Sequence, residues 1–121
     1  MAKTILVVDD SDITRLLATR ALKAAGYEVI EAEDGKAALA FLDGRSVSMV
    51  VCDWSMPVMD GIELVRTIKT MPAYKHIPIL MLTIADEDEM LEMAKSSGVD
   101  AWMTKPFTPL GLVTAVKKLC P

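Results

Sequence analysis

The chain has 121 residues, 52% of them hydrophobic and 5% aromatic, with a formal net charge of -4 at pH 7. That length suits one domain with a core of its own, and the acidic balance and scarce aromatics argue against a nucleic-acid partner. No apolar run is long enough to span a bilayer, and the N-terminal TILVV is too short for a signal segment and runs straight into acids, so a soluble cytoplasmic protein without a membrane partner is expected.

Short apolar runs alternate with helical patterns along the whole chain. TILVV (4–8) reads as a strand buried on both faces. Asp12 can cap a helix running through Ala25, with Gly26 as its stop. YEVIEA (27–32) alternates and reads as a strand nearer an edge. Asp34 opens a helix over 36–43 that ends at Gly44. SMVVC (48–52) is a second buried strand, and GIELVRTIKTM (61–71) a helix begun at Asp60-Gly61 and stopped by Pro72. IPILMLT (77–83) is a strand, Asp86 opens an acidic helix through Ser97 ended by Gly98, residues 100–103 form a short strand, and 109–119 the last helix. Five βα repeats in a row imply an α/β fold with a parallel five-stranded sheet and helices on both faces. Ligands of such sheets bind outside the carboxyl ends of the strands.

What stands at those ends is distinctive. The first strand ends in Asp9-Asp10, the third in Asp53, the fourth in Thr83, and the fifth leads into Lys105-Pro106. Parallel strands put all of them on one edge. Two carboxylates at ~4 Å and an effective dielectric of ~20 repel by about 4 kcal/mol. Lys105 offsets part of this and a divalent cation more, and hard oxygen ligands with room for water suit Mg²⁺. A carboxylate beside Mg²⁺ and a lysine can attack a phosphoryl group, giving an acyl phosphate on the protein. Aspartate also closes strands for purely local reasons, and position alone does not say which acid attacks. Cys52 and Cys120 form no CxxC, so no thiolate metal site is expected, and free thiols suit a reducing compartment.

Taken together, Asp9-Asp10, Asp53, the DxxMPxMDG loop over 53–61, Thr83 and KPF (105–107) closely resemble the receiver domain of two-component response regulators, over essentially the whole chain. The resemblance implies a doubly wound, flavodoxin/CheY-like fold with strand order 2-1-3-4-5. It implies that Asp53 accepts the phosphoryl group from the phosphohistidine of a histidine kinase or phosphotransfer protein. Asp10, Asp53 and the Ser55 backbone carbonyl would bind Mg²⁺ directly, with Asp9 acting through water. Lys105, held by a cis bond before Pro106, would contact the phosphoryl oxygens, and Thr83 would swing to hydrogen-bond the phosphate. Trp102 falls at the family's switch aromatic. The face made by the fourth helix, fifth strand and fifth helix would then signal to a downstream protein target. With the last helix followed directly by Pro121, residues 1–121 read as a stand-alone, CheY-like monomeric receiver without an output domain. It would be a phosphoacceptor assisting its own transfer and autodephosphorylation rather than an enzyme, with chemotaxis motor control one option for its pathway and a phosphorelay shuttle or adaptor role another.

Three positions depart from the family's habit. Ile84 follows Thr83 where alanine or glycine is usual, which narrows access to Asp53. Ser55 and Ala85, two residues after Asp53 and Thr83, bring no acid, amide or base to sites that tune autodephosphorylation. Trp102 replaces tyrosine or phenylalanine. Slow exchange with small phosphodonors is the expected consequence. Two rival readings remain open at the level of sequence: a pseudo-receiver that binds partners unphosphorylated, and a haloacid-dehalogenase-type phosphatase, since Asp10-x-Asp12-x-Thr14 fits that signature. The latter lacks any acid after Lys105 and leaves Asp53 unexplained. His76 and Trp54 read as loop residues. Met90, Met93 and Met103 read as core filler that also offers adaptable docking surface, and the acids of 86–89 as first-turn charges favoured by the helix dipole.

Overall fold

A computed structural model describes residues 2–84, 92 and 95–121 of the chain. The five apolar runs become strands β1 (Thr4–Val8), β2 (Glu28–Ala32), β3 (Met49–Asp53), β4 (Ile79–Thr83) and β5 (Ala101–Thr104). All neighbours pair in parallel, in the order β2-β1-β3-β4-β5 that the resemblance implied. β3 and β4 are buried at every position. They read as unbroken apolar runs because both their faces are covered. β2 and β5 form the edges and keep exposed or half-buried residues, which is why YEVIEA alternates.

Successive strand residues face opposite sides of the sheet, and two cores result. Leu6, Val8, Val50, Cys52, Ile79 and Met81 pack with Ile62, Val65 and Ile68 on one face. Ile5, Val7, Met49, Val51, Leu80 and Leu82 pack with Leu22, Leu112 and Val116 on the other. The helices that supply these contacts are α1 (Asp12–Ala24), α2 (Gly35–Phe41), α3 (Gly61–Lys69) and α5 (Pro109–Leu119). Of α4, residues 92 and 95–97 are described as helical. The Asp86 start, Ala85, the acids of 86–89, Met90 and Met93 lie outside the described residues. Among the described residues no helix is long and apolar enough to cross a membrane.

Several boundaries differ from the sequence reading. Ser11, not Asp12, caps α1: its backbone is extended and its hydroxyl accepts from the Thr14 N–H at 3.3 Å. Asp12 is already in the first turn, where its charge still suits the helix dipole. α1 ends at Ala24, and Gly26 takes the left-handed φ of +97° that a chain reversal into β2 requires. α2 begins at Gly35 behind its Asp34 cap but stops at Phe41, short of Gly44. α3 stops at Lys69, before Pro72 is reached. β3 runs one residue further than expected and takes in Asp53 itself.

Candidate functional site

The parallel register brings the five predicted positions to one edge. Val8 of β1 pairs with Cys52, Asp53 with Leu82, and Thr83 with Thr104. Asp9 therefore follows β1 directly beside the end of β3, and Lys105 follows β5 beside the end of β4. Asp9 and Asp53 are buried, as is Thr83, whereas Asp10 is exposed. One oxygen from each of Asp9, Asp10 and Asp53 lies within 4.8 Å of the others. Lys105 Nζ stands 2.9 Å from Asp9 Oδ2 and 3.2 Å from Asp53 Oδ1. The other Asp9 oxygen accepts the Ser11 N–H at 2.9 Å.

Burial first, and the neighbouring Asp9 second, push the Asp53 carboxyl up to about 6 against the pull of Lys105. For Lys105, burial disfavours the charge, but the bond to Asp9 and the charges of Asp53 and Asp9 prevail and hold the ammonium above its ordinary range. One ammonium thus leaves three crowded carboxylates under-neutralised, and a divalent cation would balance the remainder. The donor set is all hard oxygen, with Asp10 open to water, which fits Mg²⁺. Asp10 and Asp53 have oxygens to offer it, whereas both Asp9 oxygens already accept hydrogen bonds. Directly beneath, burial and the charges of Asp53 and Asp9 push the Cys52 thiol far up, so it is inert.

The loops around the cluster are held tightly. The Trp54 N–H donates to the Leu82 carbonyl at 2.9 Å and the Gly61 N–H to the Trp54 carbonyl at 2.8 Å. A Cβ at Gly61 would collide with the Asp53 carbonyl and the Trp54 backbone, so only glycine lets α3 start there. Within this loop Val58 takes φ +72°, a costly conformation for a β-branched residue, and leaves its side chain in solvent. Ser55 is exposed, and Trp54 is half-buried against the core. On the far side the Lys105–Pro106 peptide is cis, and the Lys105 N–H donates to the Thr83 carbonyl at 2.8 Å. Ile84 is 79% exposed. With Thr14, Leu17, Lys105, Pro106 and Phe107 it lines a groove of about 240 Å³ leading along the lysine.

Trp102 lies on β5, half-buried against the core cluster shared with α2 and α3, with the Lys95 ammonium 5.6 Å from its ring centre. Met103 points to the opposite face and packs with the cluster beneath α1 and α5. His76 is exposed. Asp12 does not join the acid cluster: its carboxylate is 87% exposed and ion-paired with Arg15, away from the role a phosphatase would require. Arg15, to which the sequence reading gives no role, contacts the Asp9 carbonyl through Nη1. Only the observed contacts reveal it, since an arginine one turn into a surface helix has no sequence signature of its own.

Comparison with known proteins agrees with this architecture. Residues 5–117 match the response regulator receiver domain. The chain is 37% identical over 117 residues to the chemotaxis protein CheY of Pseudomonas aeruginosa, covering 95% of this chain and 94% of that protein. It is 39% identical over 117 residues to the phosphate regulon transcriptional regulatory protein PhoB of the same species, covering 97% of this chain but 51% of that protein; the chain thus spans about half of that relative. The crystal structure of Vibrio cholerae chemotaxis protein CheY4 at pH 4.0 superposes with a TM-score of 0.95 at 36% identity, covering 98% of this chain and 99% of that one.

Proposed function

Because the chain belongs to the response regulator receiver domain family of two-component signalling, we propose that Asp53 accepts a phosphoryl group from the phosphohistidine of a histidine kinase or phosphotransfer protein. An Asp53 carboxylate oxygen attacks phosphorus, the P–N bond breaks, and the imidazole leaves as the mixed anhydride forms on Asp53. The observation that carries this reading is Lys105, whose ammonium stands between Asp9 and Asp53 at 2.9 and 3.2 Å. From there it can follow charge onto the transferring oxygens. Asp10, Asp53 and the Ser55 carbonyl are the residues that would hold Mg²⁺, with Asp9 acting through water; the ion would neutralise charge on those same oxygens. The attacking carboxylate must be ionised, and a pKa of about 6 for Asp53 makes it so at neutral pH.

A groove opens beside Lys105, lined also by Thr14, Leu17, Ile84, Pro106 and Phe107. Thr83, buried at the end of β4, is the group that turns to the phosphate, and Trp102 is the aromatic whose position changes with it. The α4-β5-α5 face then presents a different surface to a downstream protein target. In this reading the protein acts as a cytoplasmic monomer, a phosphoacceptor rather than an enzyme, and chemotaxis is the pathway for which its CheY relatives are named. Trp54 and Trp102 are the two tryptophans of the chain, one beside the acid and one on β5. Their fluorescence should respond to Mg²⁺ and again to beryllofluoride, which stands in for the phosphoryl group. Asp53→Asn should abolish the second response. A beryllofluoride response that survives in Asp53→Asn, or its absence in the wild type despite Mg²⁺ binding, counts against phosphoacceptance and favours a pseudo-receiver.

A further inference from the structure

The turn that carries Asp9 and Asp10 is held from behind by one arginine. Arg15 Nη1 donates to the Asp9 carbonyl at 2.6 Å, and that carbonyl belongs to the peptide linking Asp9 to Asp10. Nη2 donates to Asp12 in the first turn of α1, and Nε faces Glu31 near the end of β2, whose Oε1 lies 3.4 Å away. The arginine side chain is 16% exposed, unusually deep for its type. One planar fork thus ties three pieces of chain together: the β1–α1 turn, the helix start and the neighbouring edge strand. The Asp9 N–H is fixed from the other side by the Ala32 carbonyl at 3.1 Å.

The two acids of the turn differ in what orients them. The Asp9 carboxylate is held by Ser11 and Lys105. The Asp10 carboxylate is exposed and makes no hydrogen bond among the described residues. Its aim follows from its backbone, and the plane of the Asp9–Asp10 peptide sets that backbone. We infer that Arg15 is a positioning residue for the cation site: it locks this peptide so that the Asp10 carboxylate is aimed at the Asp53 edge before any ion arrives. Its own charge is balanced locally by Asp12 and Glu31, so it acts through geometry. Lysine cannot reproduce the fork, having one nitrogen where the site uses three.

This rests on the proposed Mg²⁺ site, and the test separates the two. Mg²⁺ is titrated against tryptophan fluorescence in the full chain, and melting is recorded in metal-free buffer. Asp10→Asn should lose the Mg²⁺ response; if it binds Mg²⁺ as the wild type does, the proposed cation site itself is wrong. Given that loss, Arg15→Met, which keeps the aliphatic bulk, should weaken Mg²⁺ binding roughly tenfold, in the range seen when groups orienting a metal ligand are removed. Arg15→Lys should recover part of the affinity. Glu31→Gln, which loosens the fork without touching Arg15, should weaken binding by a smaller factor and serves if Arg15→Met does not fold. Melting shifts with unchanged Mg²⁺ affinity in both Arg15→Lys and Glu31→Gln would reduce Arg15 to a helix-start ion pair and overturn the inference.

Discussion

Asp53 closes β3 at a buried position where two other acids converge, and its energetics follow from that placement. Its pKa of about 6 exceeds the ordinary 3.8, so the folded state prefers the protonated form. Below pH ~4 the group is protonated whether the chain is folded or not, and it costs nothing. As pH rises through 6 it ionises in a crowded site, and that cost reaches its full size. The folded state therefore loses stability between pH ~4 and ~6, by about 1–2 kcal/mol once the water in the cleft is allowed for. Asp53→Asn removes the cost. Without metal it should melt above the wild type at pH 7, and the gap should close towards pH 4. Equal melting at both pH values, or a less stable variant at pH 7, would contradict this electrostatic account. The site residues at the strand tips were legible because parallel strands put Asp9, Asp10, Asp53, Thr83 and Lys105 on one edge, an arrangement a single turn-forming aspartate does not explain. The fork made by Arg15 was not, because one of its partners is a backbone carbonyl and another, Glu31, lies on a different strand.

At the level of elements, periodicity found the five strands and the main helices, and its errors have local causes. Asp12 and Ser11 are both good caps, and only the extended backbone at Ser11 decides between them. Gly44 and Pro72 lie beyond the helix ends they were expected to set, and the core-packed Leu42 and Met71 follow α2 and α3 outside the helices. The groove between α1 and the loops after β4 and β5 likewise emerges only in three dimensions. Ile84 stands largely in solvent and lines the groove beside Lys105. In the proposed reading, this branched side chain beside the lysine hinders the approach of a small phosphodonor. Ile84→Ala should speed labelling by acetyl phosphate roughly fivefold, equivalent to about 1 kcal/mol off the barrier. An unchanged labelling rate would remove Ile84 from the account.

Across the whole molecule, the arrangement depends on strand order. β1 and β3 are neighbours although β2 intervenes in sequence, so the chain leaves in opposite directions from this pair. The crevice that results holds Asp9 from one strand end and Asp53 from the next, with Lys105 reaching in from beyond β4. Two separate cores, one on each face, hold the sheet rigid beneath this edge. Composition had argued against a nucleic-acid partner, and alternation had pointed to the layered architecture, but the strand order itself came from the resemblance to receivers. The most direct measurement is intact mass after incubation with acetyl phosphate. The wild type with Mg²⁺ should gain a single phosphoryl group, and Asp53→Asn, or wild type with a chelator, should gain none. A label that persists in Asp53→Asn, or that forms equally well without a divalent cation, would contradict the claim that Asp53 is a metal-assisted phosphoacceptor.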